Sequence, residues 1–243
     1  MKKNEVLKIL ESHKNPAAVK GMARFGINPK NTYGVSLPVL RKMARELGMD
    51  HQLAMELWAT GVHEARILAS LIDISQDVTV TQMESWVKDF DSWDVCDQCC
   101  SNLFSRTEYA YEMASKWSSR EEEFVKRAGF ALVAALAWHD KQAPDSKFLR
   151  FLPAIRREAV DERNFVRKAV NWALRQIGKR NPALRNEAVR TARQIQKMNS
   201  KSARWIASDA LRELAIVRPK KDGKVKVSAG PLRSKSAKSK RAS

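Results

Sequence analysis

Cysteine is scarce in this chain, and its three copies, Cys96, Cys99 and Cys100, lie within five residues of one another. Three adjacent thiols cannot form the disulfide framework of a small secreted protein, so we expect a reducing compartment. A zinc site is disfavoured too, because it needs four ligands and the four histidines are scattered without ligand spacing. Thiols buried in a seam between helices are the simplest interpretation of the cluster.

Long apolar runs are also missing. The longest uncharged apolar run, from Ala128 to Trp138, is too short to span a bilayer. The basic N-terminus contains a glutamate before any apolar region of signal-peptide length. No segment alternates as a half-buried strand does, and up to residue 214 nearly every segment has helical spacing. We therefore expect an all-α, soluble cytoplasmic protein without a membrane-spanning segment.

Turn-forming residues divide the helical pattern into segments of about a dozen residues, which is typical of short helices joined by short turns. Such short connections favour antiparallel helix pairs. The breaks fall at Asn28-Pro29, Gly48, Gly61, Asp77, Asp91, Ser118-Ser119, Pro144, Asn181-Pro182 and Asn199.

A weak internal repeat runs through these segments. Three of them carry an early arginine followed by apolar residues at helical spacing, and these arginines, Arg127, Arg167 and Arg204, are 40 and 37 residues apart. Arg66 marks a fainter copy. The spacing is typical of HEAT or armadillo repeats, whose helix pairs stack into a solenoid with a concave binding face.

Positive charge is concentrated towards the C-terminus. Residues 1–155 hold 20 basic and 20 acidic side chains, residues 156–218 hold 16 against 6, and residues 219–243 hold 9 against 1. This distribution indicates a polyanion-binding surface, for which nucleic acid is the first candidate and an anionic membrane the second. Because residues 219–243 have almost no large apolar side chains, we expect a single repeat domain over residues 1–218, followed by a disordered basic tail that attracts phosphate.

The segment DSWDVCDQCC, residues 91–100, places Trp93 and Asp97 one helical turn apart. On a helix over residues 91–104, the cysteines and Leu103 share the core face, and the carboxylate stands at the shoulder of that face beside the indole. The pattern fits a surface aspartate near a partly buried tryptophan as well as it fits a functional acid.

The helix expected over residues 164–179 carries a tryptophan among cations. Trp172 points away from the core face, and Lys168, Arg175 and Lys179 are its helical neighbours. A core tryptophan would have apolar neighbours, whereas an indole among cations suits a sugar-phosphate surface. The core face is formed by Val166, Ala169, Val170, Ala173, Leu174 and Ile177.

Arg127 is followed by no other charged residue up to Trp138, on a helix that is apolar all round. A guanidinium in such surroundings must meet an anion, because an unpaired buried charge is too costly. The partner could be Asp97, a glutamate of EEEF at residues 121–124, or a phosphate bound in the groove. A salt bridge between two repeats and a phosphate clamp fit the pattern equally well.

These motifs together resemble the DNA alkylation repair glycosylases of the AlkD-like family. The resemblance rests on WDVCD, a KRAGFAL helix and NFVRKAVNWALRQIGKRNP, in that order, with YGVSLPVLRKMARELG upstream, and it covers roughly residues 15–215. It implies HEAT-like repeats whose concave basic face holds duplex DNA. It also implies hydrolysis of the N-glycosidic bond of cationic alkylated purines such as N3-methyladenine and N7-methylguanine, without a metal or organic cofactor.

The resemblance also implies roles for individual residues. Asp97 takes the position of the catalytic carboxylate, and Trp93 and Trp172 take the two aromatic positions around it. Arg127 falls near the family's arginine. A single carboxylate suffices for this chemistry, because an alkylated purine is already cationic and leaves without protonation, whereas ordinary glycosides usually need a carboxylate pair.

Lys168, Arg175 and Lys179 are the further candidates for DNA contacts, and the last two match DNA-contacting positions of the family. We thus expect a monomeric glycosylase that acts on double-stranded DNA containing alkylated bases, in the cytoplasm and associated with the nucleoid. The alternative is a non-catalytic HEAT-repeat scaffold that binds branched DNA, RNA or an acidic protein. Only the glycosylase would release a free methylated base.

Overall fold

The computed structural model describes residues 1–216, and within this range the chain forms α-helices, one short 3-10 helix at Phe104–Arg106 and no strand. The all-α prediction is therefore confirmed. None of the described helices is both long and apolar enough to cross a membrane. The tail expected over residues 219–243 lies outside the described residues. The helices are α1 (Lys3–Ser12), α2 (Pro16–Arg24), α3 (Leu37–Leu47), α4 (His51–Trp58), α5 (His63–Ile72), α6 (Val80–Lys88), α7 (Trp93–Asn102), α8 (Ala110–Trp117), α9 (Glu123–His139), α10 (Ser146–Leu149), α11 (Leu152–Glu158), α12 (Asn164–Lys179), α13 (Pro182–Gln196) and α14 (Lys201–Ile216).

Many helix boundaries follow capping chemistry that is visible in the sequence. Asn15, Asp50, Thr79 and Asn181 each accept a hydrogen bond from a backbone N–H three residues later, at the starts of α2, α4, α6 and α13. Such a cap satisfies an amide that has no partner inside the helix. The breaks expected from turn residues all mark boundaries between helices of the structure, with Pro182 as the first residue of α13. Local sequence therefore sets much of the segmentation.

The helices pack in two rows. In the inner row, α3, α5, α7, α9, α12 and α14 each pack against the next one in chain order. In the outer row, α4 packs on α5, α8 on α9, α11 on α12, and α13 on both α12 and α14. Stacked helix pairs of this kind build a solenoid, because each pair buries its apolar face against its neighbours.

The repeat inferred from the spaced arginines matches the inner row. Arg66, Arg127, Arg167 and Arg204 lie in the first or second turn of α5, α9, α12 and α14. Equivalent positions in successive inner helices stack side by side in such a fold. The repeat therefore brings a series of arginines to the N-terminal ends of the inner-row helices.

The core is densest around α9, which is buried along nearly its whole length. Gly129 lets α8 approach this helix closely, since a Cβ at Gly129 would lie 2.3 Å from the backbone nitrogen of Ser118. The three cysteines of α7 are buried as well, and the thiols of Cys96 and Cys100 donate to carbonyl oxygens of α9 at 3.8 and 3.7 Å. Burial raises the pKa of all three thiols. The prediction of thiols buried in a helix seam is confirmed.

The segment between α2 and α3 is held against the inner row by polar contacts. The buried carboxylate of Glu64 accepts hydrogen bonds from the backbone N–H groups of residues 33, 34 and 35, at 2.9, 2.6 and 3.1 Å. The backbone N–H of Asn28 donates to the hydroxyl of Ser92 at 2.9 Å, and its side-chain amide donates to Asp91 at 2.7 Å. These contacts place the end of α2 over the start of α7.

Candidate active site

A cavity of about 250 Å³ opens where the N-terminal ends of α7, α9 and α12 meet. Its walls are Phe25, Trp93, Arg127, Phe165 and Lys168. The N-terminal end of a helix carries partial positive charge, and here three such ends converge beside an arginine and a lysine. The cavity is therefore electropositive, with an aromatic lining.

Arg127 connects this cavity to Asp97. Its Nε and Nη2 donate to the two carboxylate oxygens of Asp97 at 2.9 and 2.7 Å, and its Nη1 donates to the carbonyl oxygen of Phe165 at 2.6 Å. Arg127 is 5% exposed, and the Asp97 side chain is 16% exposed. Of the partners considered from the sequence, Asp97 is the one that Arg127 meets in this structure, and the pair joins three inner-row helices.

The electrostatics of the pair follow from its burial and its geometry. Burial raises the pKa of the Asp97 carboxyl, and the Arg127 guanidinium opposes that rise. Burial would lower the pKa of Arg127, but the Asp97 carboxylate outweighs it and raises that pKa. A permanently protonated guanidinium at hydrogen-bonding distance favours the charged form of a carboxyl, so the pair is ionic at neutral pH.

Trp93 is the first residue of α7, and its half-buried ring faces Arg127. Its indole Nε1 donates to the carbonyl oxygen of Phe25 at 3.0 Å, and the Arg127 guanidinium carbon lies 5.9 Å from its ring centroid. Asp97 follows one turn later on the same side of α7. Trp93 and Asp97 therefore both contact Arg127 from successive turns of one helix.

Phe25 and Phe165 complete the aromatic walls, and neither was singled out from the sequence. Phe25 is 74% exposed, although a phenylalanine is usually buried. It is followed by Gly26 at φ +78°, where a Cβ would lie 2.5 Å from the Phe165 ring. Glycine thus allows the end of α2 to approach α12 closely. The available signal was a phenylalanine beside a glycine at the end of a basic helix.

The comparison with known proteins decides the family. The model of the family described as DNA alkylation repair enzyme matches residues 6–214. This chain belongs to the DNA alkylation repair enzyme family. Among solved structures, one described as a new family of proteins related to the HEAT-like repeat DNA glycosylases with affinity for branched DNA structures has a TM-score of 0.72 at 19% identity, covering 87% of this chain and 95% of that chain. That likeness confirms the predicted fold of HEAT-like repeats. The search of curated proteins found no match.

In this member of the DNA alkylation repair family, the other residues expected at the site lie along α12. Lys168 is exposed and lines the cavity. Trp172, one turn later, is half-buried, packs against the margin of the core and is outside the cavity lining. Arg175 and Lys179 both pair with Glu213 of α14. Lys168 therefore lies at the cavity, whereas Arg175 and Lys179 form ion pairs with Glu213.

In this repair-family protein the start of α7 is also held by a contact between a histidine and a carboxylate. Nε2 of the buried His63 lies 2.9 Å from a carboxylate oxygen of Asp94, the residue after Trp93. Burial would lower the pKa of His63, but the hydrogen bond to Asp94 and the charges of the nearby carboxylates together outweigh it and raise that pKa. Together with the contacts of Ser92, this pair holds the first turn of α7 and therefore the position of the Trp93 ring.

Proposed function

We propose that this protein is a DNA glycosylase that hydrolyses the N-glycosidic bond of cationic alkylated purines, such as N3-methyladenine and N7-methylguanine, in double-stranded DNA. The observation that carries the proposal is the pairing of Asp97 with Arg127, a residue that lines an electropositive, aromatic-walled cavity; Asp97 itself is not part of the cavity lining. Membership of the DNA alkylation repair enzyme family supports it.

The chemistry needs one carboxylate. Alkylation puts positive charge on the purine, so the base leaves without being protonated. As the bond breaks, the sugar gains oxocarbenium character, and the carboxylate of Asp97 stabilises that charge and orients the attacking water. A fixed charge in a water-poor site is worth more than the same charge in solution, and removing one such group typically slows a reaction by about a hundredfold or more.

The hydrogen-bonding capacity of Arg127 suggests how the site accepts DNA. A guanidinium has five N–H donors, and three of them are engaged by Asp97 and the Phe165 carbonyl. The other two, on the terminal nitrogens, are available to a phosphate in the cavity. We infer that a DNA phosphate draws Arg127 towards the cavity and loosens its hold on Asp97, which leaves carboxylate oxygens free for the sugar.

The aromatic walls supply attraction for the cationic base. A cation over an aromatic face is stabilised by about 0.5–2 kcal/mol, more when it is desolvated. Trp93 and Phe165 are held in place by their contacts with Phe25 and Arg127, while the exposed ring of Phe25 stands at the edge of the cavity. We assign Trp93 the role of a wall beside the reacting nucleotide, and Phe25 that of a contact with the flanking DNA.

Lys168 is the cation that we expect to hold a phosphate next to the cavity. It is exposed and has no ion-pair partner among the residues that the structure describes. Arg175 and Lys179 reach DNA only by giving up Glu213, so their contribution to affinity is smaller. Trp172 remains a candidate for a contact with the sugar-phosphate backbone, one turn along α12 from Lys168.

A non-catalytic DNA-binding protein is the second candidate. One observation favours it: both oxygens of the Asp97 carboxylate are engaged by Arg127 in this structure, so the acid is not free to act. The structurally similar protein with affinity for branched DNA gives this candidate a precedent in the same fold. Both candidates bind DNA, and they differ in whether a free base is released.

The test is release of the base. Duplex DNA treated with a methylating agent is incubated with the protein, and free N7-methylguanine and N3-methyladenine are measured by mass spectrometry. We expect release by the unmodified protein, a large loss in Asp97→Asn, and full activity in Asp77→Asn, a matched change at an exposed residue without a side-chain partner in residues 1–216. Binding without release by the unmodified protein would support the scaffold, and equal release by Asp97→Asn would remove Asp97 from the mechanism.

A further inference from the structure

The outer row carries a stripe of three cations and one asparagine that the cavity does not use. Asn186, Arg190, Arg193 and Lys197 follow one another at intervals of four, three and four residues along α13 and its C-terminal cap. This spacing places them on one face over about 16 Å. Together with Val189 and Gln194 they line an open groove of about 500 Å³. We call this set the α13 stripe.

The charges of the α13 stripe are largely uncompensated. Within residues 1–216, Arg193 and Lys197 have no side-chain hydrogen bond or ion pair, and no acid lines the groove. Arg190 contacts Glu187 at 3.1 Å, but its side chain is 69% exposed, and an exposed pair of this kind holds a cation only weakly. By contrast, Arg127 on the inner row is held bidentately by a carboxylate.

A second groove adjoins this surface towards α11, and its lining is mixed, since it includes Glu187 and the apolar residues Leu149, Leu152 and Pro153. It shares Arg190 and Gln194 with the first, and it is also lined by Arg156, whose Nη1 donates to Oε1 of Gln194 at 3.2 Å. Arg156 of α11 therefore adds one cation next to the α13 stripe, while the acid and the apolar residues of the second groove leave the first groove as the more basic of the two. The first groove has Val189 as its only apolar side chain and no aromatic anchor, unlike the core of a protein–protein interface.

We propose that the α13 stripe binds the phosphate backbone of a second duplex segment of DNA. It lies on an outer-row helix, whereas the cavity lies between inner-row helices, so the two surfaces can be occupied together. A branched DNA presents two duplex arms at once and fits this arrangement. The inference goes beyond the proposed glycosylase activity and relies on it only for the duplex at the cavity.

The test compares a four-way DNA junction with a linear duplex as long as one arm. In the triple variant Arg190→Glu, Arg193→Glu and Lys197→Glu, we expect junction affinity to fall more than tenfold. The slope of log K against log salt should fall by about 2.7, since each lost phosphate contact removes about 0.9. We expect affinity for the linear duplex, and base release from it when it is methylated, to stay within twofold.

The matched control reverses three exposed cations elsewhere: Lys8→Glu, Arg45→Glu and Lys88→Glu, on α1, α3 and α6. It carries the same change in net charge, and we expect its junction affinity to fall less than threefold. Thermal unfolding checks that each variant is folded. If the triple glutamate variant does not fold, the same three residues are replaced by glutamine instead. We then expect junction affinity to fall about tenfold.

Two results would overturn the inference. One is unchanged junction binding in the stripe variants. The other is a stripe variant that loses as much affinity for the linear duplex as for the junction, or a matched control that loses as much junction affinity as the stripe variant. Either loss would reflect net charge alone. Base release from linear methylated DNA is measured on the same samples, so a failure of the glycosylase proposal is recognised separately from a failure of the second binding surface.

Discussion

Arg127→Met removes the cation that neutralises a nearly buried carboxylate while keeping much of the volume and flexibility of the side chain. In the variant, Asp97 loses two hydrogen bonds and its counter-charge, and the Phe165 carbonyl loses a donor. Removing one partner of a buried ion pair typically costs about 3–5 kcal/mol, because the other charge stays behind unpaired. For a domain of this size, that loss lowers the melting temperature by roughly 10 °C.

The loss should depend on pH in a defined direction. Burial raises the pKa of Asp97, and in the variant no guanidinium opposes the rise. The folded state of the variant then binds more protons than the unfolded chain, so its stability falls as pH rises through the folded pKa of Asp97. We therefore expect the gap in unfolding free energy between Arg127→Met and the unmodified protein to be largest near neutral pH and to shrink under acid conditions.

The assay is urea unfolding followed by circular dichroism at several pH values. Adding Asp97→Asn to Arg127→Met removes the stranded charge and should recover a good part of the lost stability. The exposed pair of Lys42 and Glu46, 3.8 Å apart, is the control, and Lys42→Met should cost less than about 1 kcal/mol. A loss of under about 1 kcal/mol in Arg127→Met would show that the pair contributes little to stability. A gap that does not change with pH would show that the loss does not come from an unpaired Asp97 charge.

Three further perturbations test the fold and the site. Gly129→Ala should destabilise the protein by at least about 1–3 kcal/mol in urea unfolding, because its Cβ would meet backbone, whereas Gly21→Ala, with nothing within 4 Å, should stabilise it by up to about 1 kcal/mol. Lys168→Gln should weaken binding of methylated duplex and lower the salt slope by about 1, with a smaller effect for Lys179→Gln; equal effects would show that pairing with Glu213 does not matter. Burial would raise the pKa of Glu213, but its cationic partners lower it, so its stabilising contribution is present at neutral pH and lost as pH falls below its ordinary pKa of 4.5. Glu213→Gln should therefore lower the free energy of unfolding at neutral pH and differ least from the unmodified protein in acid. Unfolding measured at both pH values checks this.

The architecture could be predicted from local signals. Turn residues mark boundaries because they satisfy helix ends or stop a helix, and a chain of short amphipathic helices has few ways to bury its apolar faces. The breaks between α1 and α2, α7 and α8, α10 and α11, and α11 and α12 were missed. The first of them has a clear signal, because Asn15 and Pro16 repeat the pattern of Asn181 and Pro182, where the same cap-and-proline pair starts a helix. That boundary was therefore available from the sequence.

The candidate site was less predictable, because its contacts join distant parts of the chain. The apolar surroundings of Arg127 required an anion, but its pairing with Asp97 spans 30 residues, and the bond between Trp93 and Phe25 spans 68. The pairing of Arg175 with Glu213 depends on α14 packing against α12. A helical wheel describes one helix and contains no information about which neighbouring helix packs against its side.

The rate of base release in a single turnover tests the role of Asp97 most directly. A methylated duplex is saturated with excess protein, and the release of N7-methylguanine by the unmodified protein is compared with that by Asp97→Asn. We expect the rate to fall at least about a hundredfold in the variant while duplex affinity changes only a few-fold. Equal rates for the two proteins would contradict the proposal that this carboxylate stabilises the oxocarbenium character of the sugar as the base departs.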